Sequence, residues 1–166
     1  MKIINGSEKY IEVILNLCKE CSLNMTNKLI NQWDEIYPNK EIFLHDIQNN
    51  SLYIAVTDDG EEIMGCIVLN EYQDPEYNEV KWNYTEGKIA VIHRLMIHPK
   101  HEGKGIAQDL VKFIEELAII KQYAAIRLDV FINNSRAVNF YNKLGYQIAG
   151  KVNFRKGEFF CCEKAI

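Results

Sequence analysis

The sequence predicts an α/β fold, with about seven strands interleaved among helices in a single domain over residues 1–166. Three observations carry that prediction. Residues 52–57 and 63–69 are apolar runs flanking Asp58-Asp59-Gly60, the composition of a hairpin turn, so they pair antiparallel. Residues 89–97 read IAVIHRLMI, a nearly continuous apolar run expected of a strand covered on both faces. After that run Leu110, Val111, Phe113, Ile114, Leu117 and Ala118 recur at helical spacing, and residues 124–131 then alternate strictly. With 166 residues, 48% hydrophobic and 25% charged, one globular core is the natural reading.

The remaining elements follow in chain order. A short strand at 2–4 leads to a helix from about Ser7, with that serine as N-cap and an apolar face over 10–17. A second helical region spans 27–47 and is broken at Tyr37-Pro38-Asn39. Residues 70–88 are too long for a plain connection and interleave Glu71, Asp74, Glu76, Glu79 and Glu86 with Tyr72, Tyr77, Trp82 and Tyr84. They form a functional loop, an extra strand or a solvated excursion. In 124–131 Ile126, Leu128 and Val130 share one face, and Arg127, Asp129 and Phe131 the other. A last helix covers 135–144, capped by Asn133 or Asn134 and stopped at Gly145, before strands near 146–152 and 158–164.

Composition removes several classes of function. Nineteen basic against 23 acidic residues give a net charge of −4, so the electrostatic footprint of a nucleic-acid binder is missing. No apolar stretch approaches the roughly 18 residues of a membrane span, and the N-terminus has no secretory h-region, so a cytoplasmic protein without membrane partners is expected. Cys18 and Cys21 form a CxxC spacing, but Cys18 falls on an apolar helical stripe with Ile11, Ile14, Leu15 and Ser22, with Cys21 at its margin, and Cys161-Cys162 point to opposite faces of a strand. They are read as small hydrophobes, with no metal site.

The chemistry centres on HPKHEGKGIAQDL, from His98. A strand, a glycine-rich turn and a helix start make a nest of N–H groups at the positive end of a helix dipole, which is an anion site, and glycine lets a phosphate oxygen come within about 3 Å of the backbone nitrogen. A Walker loop is excluded because Gly105 stands where Ser or Thr is required, and the dinucleotide fingerprint fails at Gln108. Downstream, LDVFINNSRAVNFYNKLGYQIAG places an asparagine at a helix start and a tyrosine two turns later.

Together these stretches resemble the GNAT superfamily of acyl-CoA-dependent N-acetyltransferases. The family pattern Q/R-x-x-G-x-G/A falls on Glu102, Gly103, Lys104, Gly105, Ile106 and Ala107, with Glu102 the departure, an acid where glutamine or arginine is usual. Asn134, Ala137 and Tyr141 match the family's N-x-x-A-x-x-x-Y helix, followed by Gly145-Tyr146. The resemblance implies the GNAT fold, a single mixed and mostly antiparallel sheet of about seven strands with helices on both faces. It further implies acetyl-CoA as cosubstrate. The diphosphate would lie on the turn from Glu102 to Ala107, with Lys104 offsetting the acid, and the pantetheine arm would pair with the backbone of Leu95, Met96 and Ile97. Asn134 and Tyr141 would also contact the cofactor.

Acetyl transfer needs an uncharged amine. An alkylamine with a pKa near 10 reaches that form at pH 7 at a cost of roughly 4 kcal/mol, so a base is useful. By resemblance Tyr141 is the general acid to the departing sulfur, although Ala137, Phe140, Tyr141 and Leu144 also make a packing stripe. His93 and Asp129 are the two candidate bases. A buried structural histidine and an Asp129–Arg127 ion pair are the alternatives for them, and water is a third base. The acceptor is a primary amine of a small molecule or peptide, the acidic and aromatic residues 71–82 suit a cationic one, and a homodimer is allowed for. A non-catalytic acyl-CoA binding or sensing module is the alternative function.

Overall fold

In the computed structural model, which describes residues 1–166, the strands are β1 (Lys2–Asn5), β2 (Leu52–Val56), β3 (Ile63–Asn70), β4 (Lys88–Ile97), β5 (Tyr123–Phe131), β6 (Gln147–Phe154) and β7 (Gly157–Ala165). The helices are α1 (Ile11–Asn27), α2 (Lys40–Gln48), α3 (Ile106–Ile120) and α4 (Ser135–Lys143). One mixed sheet runs β1-β2-β3-β4-β5-β7-β6. The β4–β5 pair is parallel, from Lys88↔Tyr123 to Val91↔Arg127, whereas β1–β2, β2–β3, β5–β7 and β6–β7 are antiparallel. The near-continuous apolar lettering of β4 suits a strand covered on both faces, whereas β5 keeps its alternation, with Arg127 and Asp129 on one face.

The chain groups into two compact units, Met1–Leu69 with Arg94–Ile114, and Asn70–His93 with Glu115–Ile166. The first unit has a core of Ile14, Leu17, Cys18, Cys21, Phe43, Ile47, Leu52, Ile54 and Met96, among others. The CxxC spacing is thus absorbed by packing. Burial pushes the Cys18 thiol up to about 11 and the Cys21 thiol up to about 12, and at neutral pH both are protonated.

Two helix expectations need correction in this unit. Ser7 precedes a 3-10 turn, Glu8–Tyr10, and its side chain makes no cap hydrogen bond, so the α-helix begins only at Ile11. The helical region expected over 27–47 is helical only as α2. Leu29 adopts a left-handed φ of 61°, and the N–H of Ile30 returns to the Met25 carbonyl at 2.9 Å, which closes α1. The chain restarts at Asn39, whose side chain accepts from the Ile42 N–H at 3.1 Å.

In the second unit residues 70–88 contain a 3-10 turn, Pro75–Glu79, where an extra strand was one expectation. Strand side chains fasten the segment. Buried Glu163 accepts from the Asn83 backbone and side-chain nitrogens, each at 2.7 Å. Its register partner Arg127 donates to the Gln73 side chain and to the Tyr84 carbonyl at 2.7 Å, and stacks 4.1 Å over the Trp82 ring. The α4 cap is Asn134, whose Oδ1 accepts from the Ala137 N–H at 3.1 Å, and Gly145 ends that helix with φ 89°. No helix is long and apolar enough to cross a membrane.

Candidate active site

Within the first unit, β4 runs into the glycine turn through a distorted residue. Arg94 has φ 50°, a left-handed conformation that costs a residue other than glycine about 1–2 kcal/mol. Buried side-chain bonds over-determine it. Its guanidinium donates to Asp46 Oδ1 at 2.8 Å and to the Tyr37 hydroxyl at 2.9 Å, and lies 2.6 Å from Asp46 Oδ2. Opposite, Gly65 is required by close approach, because a Cβ there would sit 2.6 Å from the Met96 carbonyl oxygen. The distortion leads directly into Leu95, Met96 and Ile97. The Met96 side chain is buried in the core, so its backbone is what a ligand could meet, while Leu95 and Ile97 are half-buried. The Cys21 thiol donates to the Ile97 carbonyl at 3.2 Å.

The turn itself has Gly103 at φ 76° and Gly105 at φ 84°, with nothing within 4 Å of a Cβ built on either. Conformation rather than crowding selects glycine here, and the space above both residues stays open for an anion at the N-terminus of α3. Diphosphate therefore fits the residues present. The charge of Glu102 is offset from an unexpected direction. Lys28 Nζ lies 3.3 Å from its Oε2, and Asn24 Nδ2 donates to its Oε1 at 2.9 Å. Lys104, the compensating residue expected from sequence, leans on His101 Nδ1 at 3.2 Å. Ile106 is buried, and Ala107 half-buried.

Within the second unit, strand alternation puts Val91 and His93 of β4 on the same face as Arg127 and Asp129 of β5. His93 is 9% exposed, and its Nε2 lies 3.0 Å from Asn70 Oδ1 and 3.2 Å from the Tyr72 carbonyl. A carbonyl can only accept, so Nε2 carries the proton and any lone pair for catalysis belongs to Nδ1. Asp129 Oδ2 accepts from the Tyr77 hydroxyl at 2.9 Å. The guanidinium of Arg127, the ion-pair partner considered from sequence, is directed to the 73–84 segment.

Tyr141 is 8% exposed and packs edge-on against Phe140 and Tyr146, at centroid separations of 5.1 and 5.7 Å. Burial, and after it the charges of Asp129 and Cys162, hold its phenol well above the ordinary tyrosine range. It keeps its proton at neutral pH, and the same burial makes that proton harder to release. Asn134 Oδ1 is committed to the α4 cap. A cavity of about 550 Å³ lies beside the 70–88 segment, lined by Glu71, Gln73, Trp82, Lys88, Ile89 and Arg127 among others.

Several members of these arrangements escaped sequence reasoning. Asn24, Lys28, Tyr77 and Asp46 reach their partners over 48 to 78 residues of chain. Asp46 left a trace, as an acid between the apolar Phe43 and Ile47 of one helix turn, and Tyr77 was legible only as one aromatic of residues 70–88.

Comparison with known proteins points to one family. The model of the acetyltransferase (GNAT) family matches residues 18–146. Streptothricin acetyltransferase of Escherichia coli is 32% identical over 94 residues, 56% of this chain and 53% of that protein. Spermine/spermidine N(1)-acetyltransferase of Bacillus subtilis is 32% identical over 81 residues, 48% of this chain and 51% of that protein. The chain thus spans about half the length of these relatives. Among solved structures, a GNAT-family acetyltransferase from Streptococcus agalactiae superposes with TM-score 0.85 at 24% identity, covering 99% of this chain and 95% of that one. The PaiA N-acetyltransferase of Thermoplasma acidophilum, solved with coenzyme A, gives 0.73 at 22% identity, covering 99% and 98%.

Proposed function

This chain belongs to the acetyltransferase (GNAT) family, and from that membership we propose that residues 1–166 act as one N-acetyltransferase domain moving an acetyl group from acetyl-CoA to a primary amine. The observation that carries the reading is the turn at 102–107, where two left-handed glycines leave open space at the start of α3. Acetyl-CoA supplies an activated thioester. Backbone groups of Leu95, Met96 and Ile97 align it, and the turn from Glu102 to Ala107 takes its diphosphate, with Asn134 as a further contact.

In the transfer the amine nitrogen bonds to the acetyl carbon as the carbon–sulfur bond breaks. The ammonium first gives one proton to a base, which frees the lone pair; after attack the nitrogen loses its second proton to water, the sulfur takes a proton from Tyr141, and Tyr141 regains one from solvent. His93, through Nδ1, and Asp129 are the two protein candidates for that base. Strand alternation favours both equally, since they share a face.

The acceptor we favour is cationic. The 70–88 segment carries Glu71, Asp74, Glu76, Glu79 and Glu86, and relatives named for streptothricin and for spermine or spermidine match this chain. Five free, buried thiols suit the reducing cytoplasm.

The test is stabilisation by acetyl-CoA in thermal unfolding, about 2.7 kcal/mol at 100 times its Kd, followed by thiol release over a panel of amines. Tyr141→Phe is expected to lower kcat on the order of a hundredfold while leaving acetyl-CoA binding in place. An unchanged kcat removes Tyr141 from the acid role.

A further inference from the structure

Glu102 poses a physical problem for a diphosphate turn. Its carboxylate stands one residue before Gly103, where a second anion would be repelled. The structure resolves it within the first unit. Asn24 and Lys28 lie four residues apart, on one face at the C-terminal end of α1, and each takes one oxygen of the Glu102 carboxylate, at 2.9 and 3.3 Å. Lys28 is fixed there because it is the C-cap residue, followed at once by left-handed Leu29. It lies at the negative end of the α1 dipole, which favours a cation.

We propose that Lys28 is a determinant of acetyl-CoA affinity, acting as the counter-cation that allows an acid to occupy position 102 of the diphosphate turn. The inference rests on the reading that this turn binds the diphosphate. With Lys28 in place the Glu102–Lys28 pair is neutral and the turn meets the ligand through its N–H groups. Without Lys28, Glu102 loses this counter-cation at the start of a turn that receives two more negative charges. In partly screened surroundings that repulsion weakens binding on the order of tenfold, and salt reduces the effect because both groups are near solvent. A pair serving only to tie α1 to the turn would respond in stability but not in ligand charge.

The experiment measures Kd for coenzyme A, and for pantetheine, which lacks the diphosphate, by calorimetry on the full chain at low and high salt. Lys28→Ala is expected to weaken coenzyme A on the order of tenfold at low salt, and markedly less at high salt. Pantetheine should be unaffected. Lys28→Arg should behave as the parent, and Glu102→Gln with Lys28→Ala should recover the parent's affinity. A Lys28→Ala variant that binds coenzyme A normally overturns the proposal. So does a double variant as weak as Lys28→Ala alone, because Lys28 would then act independently of Glu102. Failure of the parent protein to bind coenzyme A at all is a different result, which removes the diphosphate reading itself.

Discussion

Asp46→Asn is the sharpest test of how the turn is held in place. The Asp46 and Arg94 side chains are 3% and 8% exposed, with the guanidinium 2.6 Å from one carboxylate oxygen. Neutralising Asp46 leaves Arg94 buried without its counter-charge, and breaking such a pair costs about 3–5 kcal/mol. Asparagine retains one acceptor for the guanidinium, so the lower end, about 3 kcal/mol, applies. For a chain of 166 residues that corresponds to a fall in Tm of about 6–12 °C. Urea unfolding followed by circular dichroism measures it. The companion variant, Asp46→Leu with Arg94→Met, removes both charges at similar volume and should be more stable than Asp46→Asn alone, because the penalty belongs to the orphaned charge. A loss below about 1 kcal/mol for Asp46→Asn, or a double variant less stable than the single, would refute the reasoning.

Two further outcomes follow from a helix cap and from buried thiols. Asn134→Ala removes the α4 cap and is expected to cost about 1 kcal/mol, a Tm shift of roughly 2–4 °C, whereas Asn134→Asp, which still accepts from the Ala137 N–H, should stay close to the parent. Burial holds the thiols of Cys18, at about 11, and of Cys21, Cys161 and Cys162, at about 12, above the ordinary thiol value of 9.0. Above pH 9.0 the unfolded chain ionises thiols that the folded chain keeps protonated, so stability should fall as pH rises, by up to about 1.4 kcal/mol per thiol per pH unit. Unfolding free energies that stay level between about pH 8 and about pH 10 would contradict this.

Much of the architecture was legible in the residues because it rests on local periodicity. The hairpin of β2 and β3, the buried run of β4, the alternation of β5 and the amphipathic α3 each follow from spacing alone, and each appears where the spacing puts it. The glycines at 103 and 105 were equally legible, since a left-handed φ leaves few other choices. Helix ends were less so. Ser7 does not cap the α-helix and residues 28–39 are not helical, because tertiary contacts and the left-handed Leu29 decide those boundaries.

What the sequence by itself determined is the order and type of elements, the left-handed glycines of the turn, and the family pattern over Gly103 to Ala107 and Asn134 to Tyr141. What only the tertiary structure decided is who neutralises whom. Lys28 rather than Lys104 answers Glu102, Asp46 answers Arg94, Tyr77 reaches Asp129, and His93 Nε2 meets Asn70 and Tyr72. The reason is physical: periodicity is set by neighbours within one turn or one pleat, whereas a charge finds its partner through space, at separations the linear pattern does not encode.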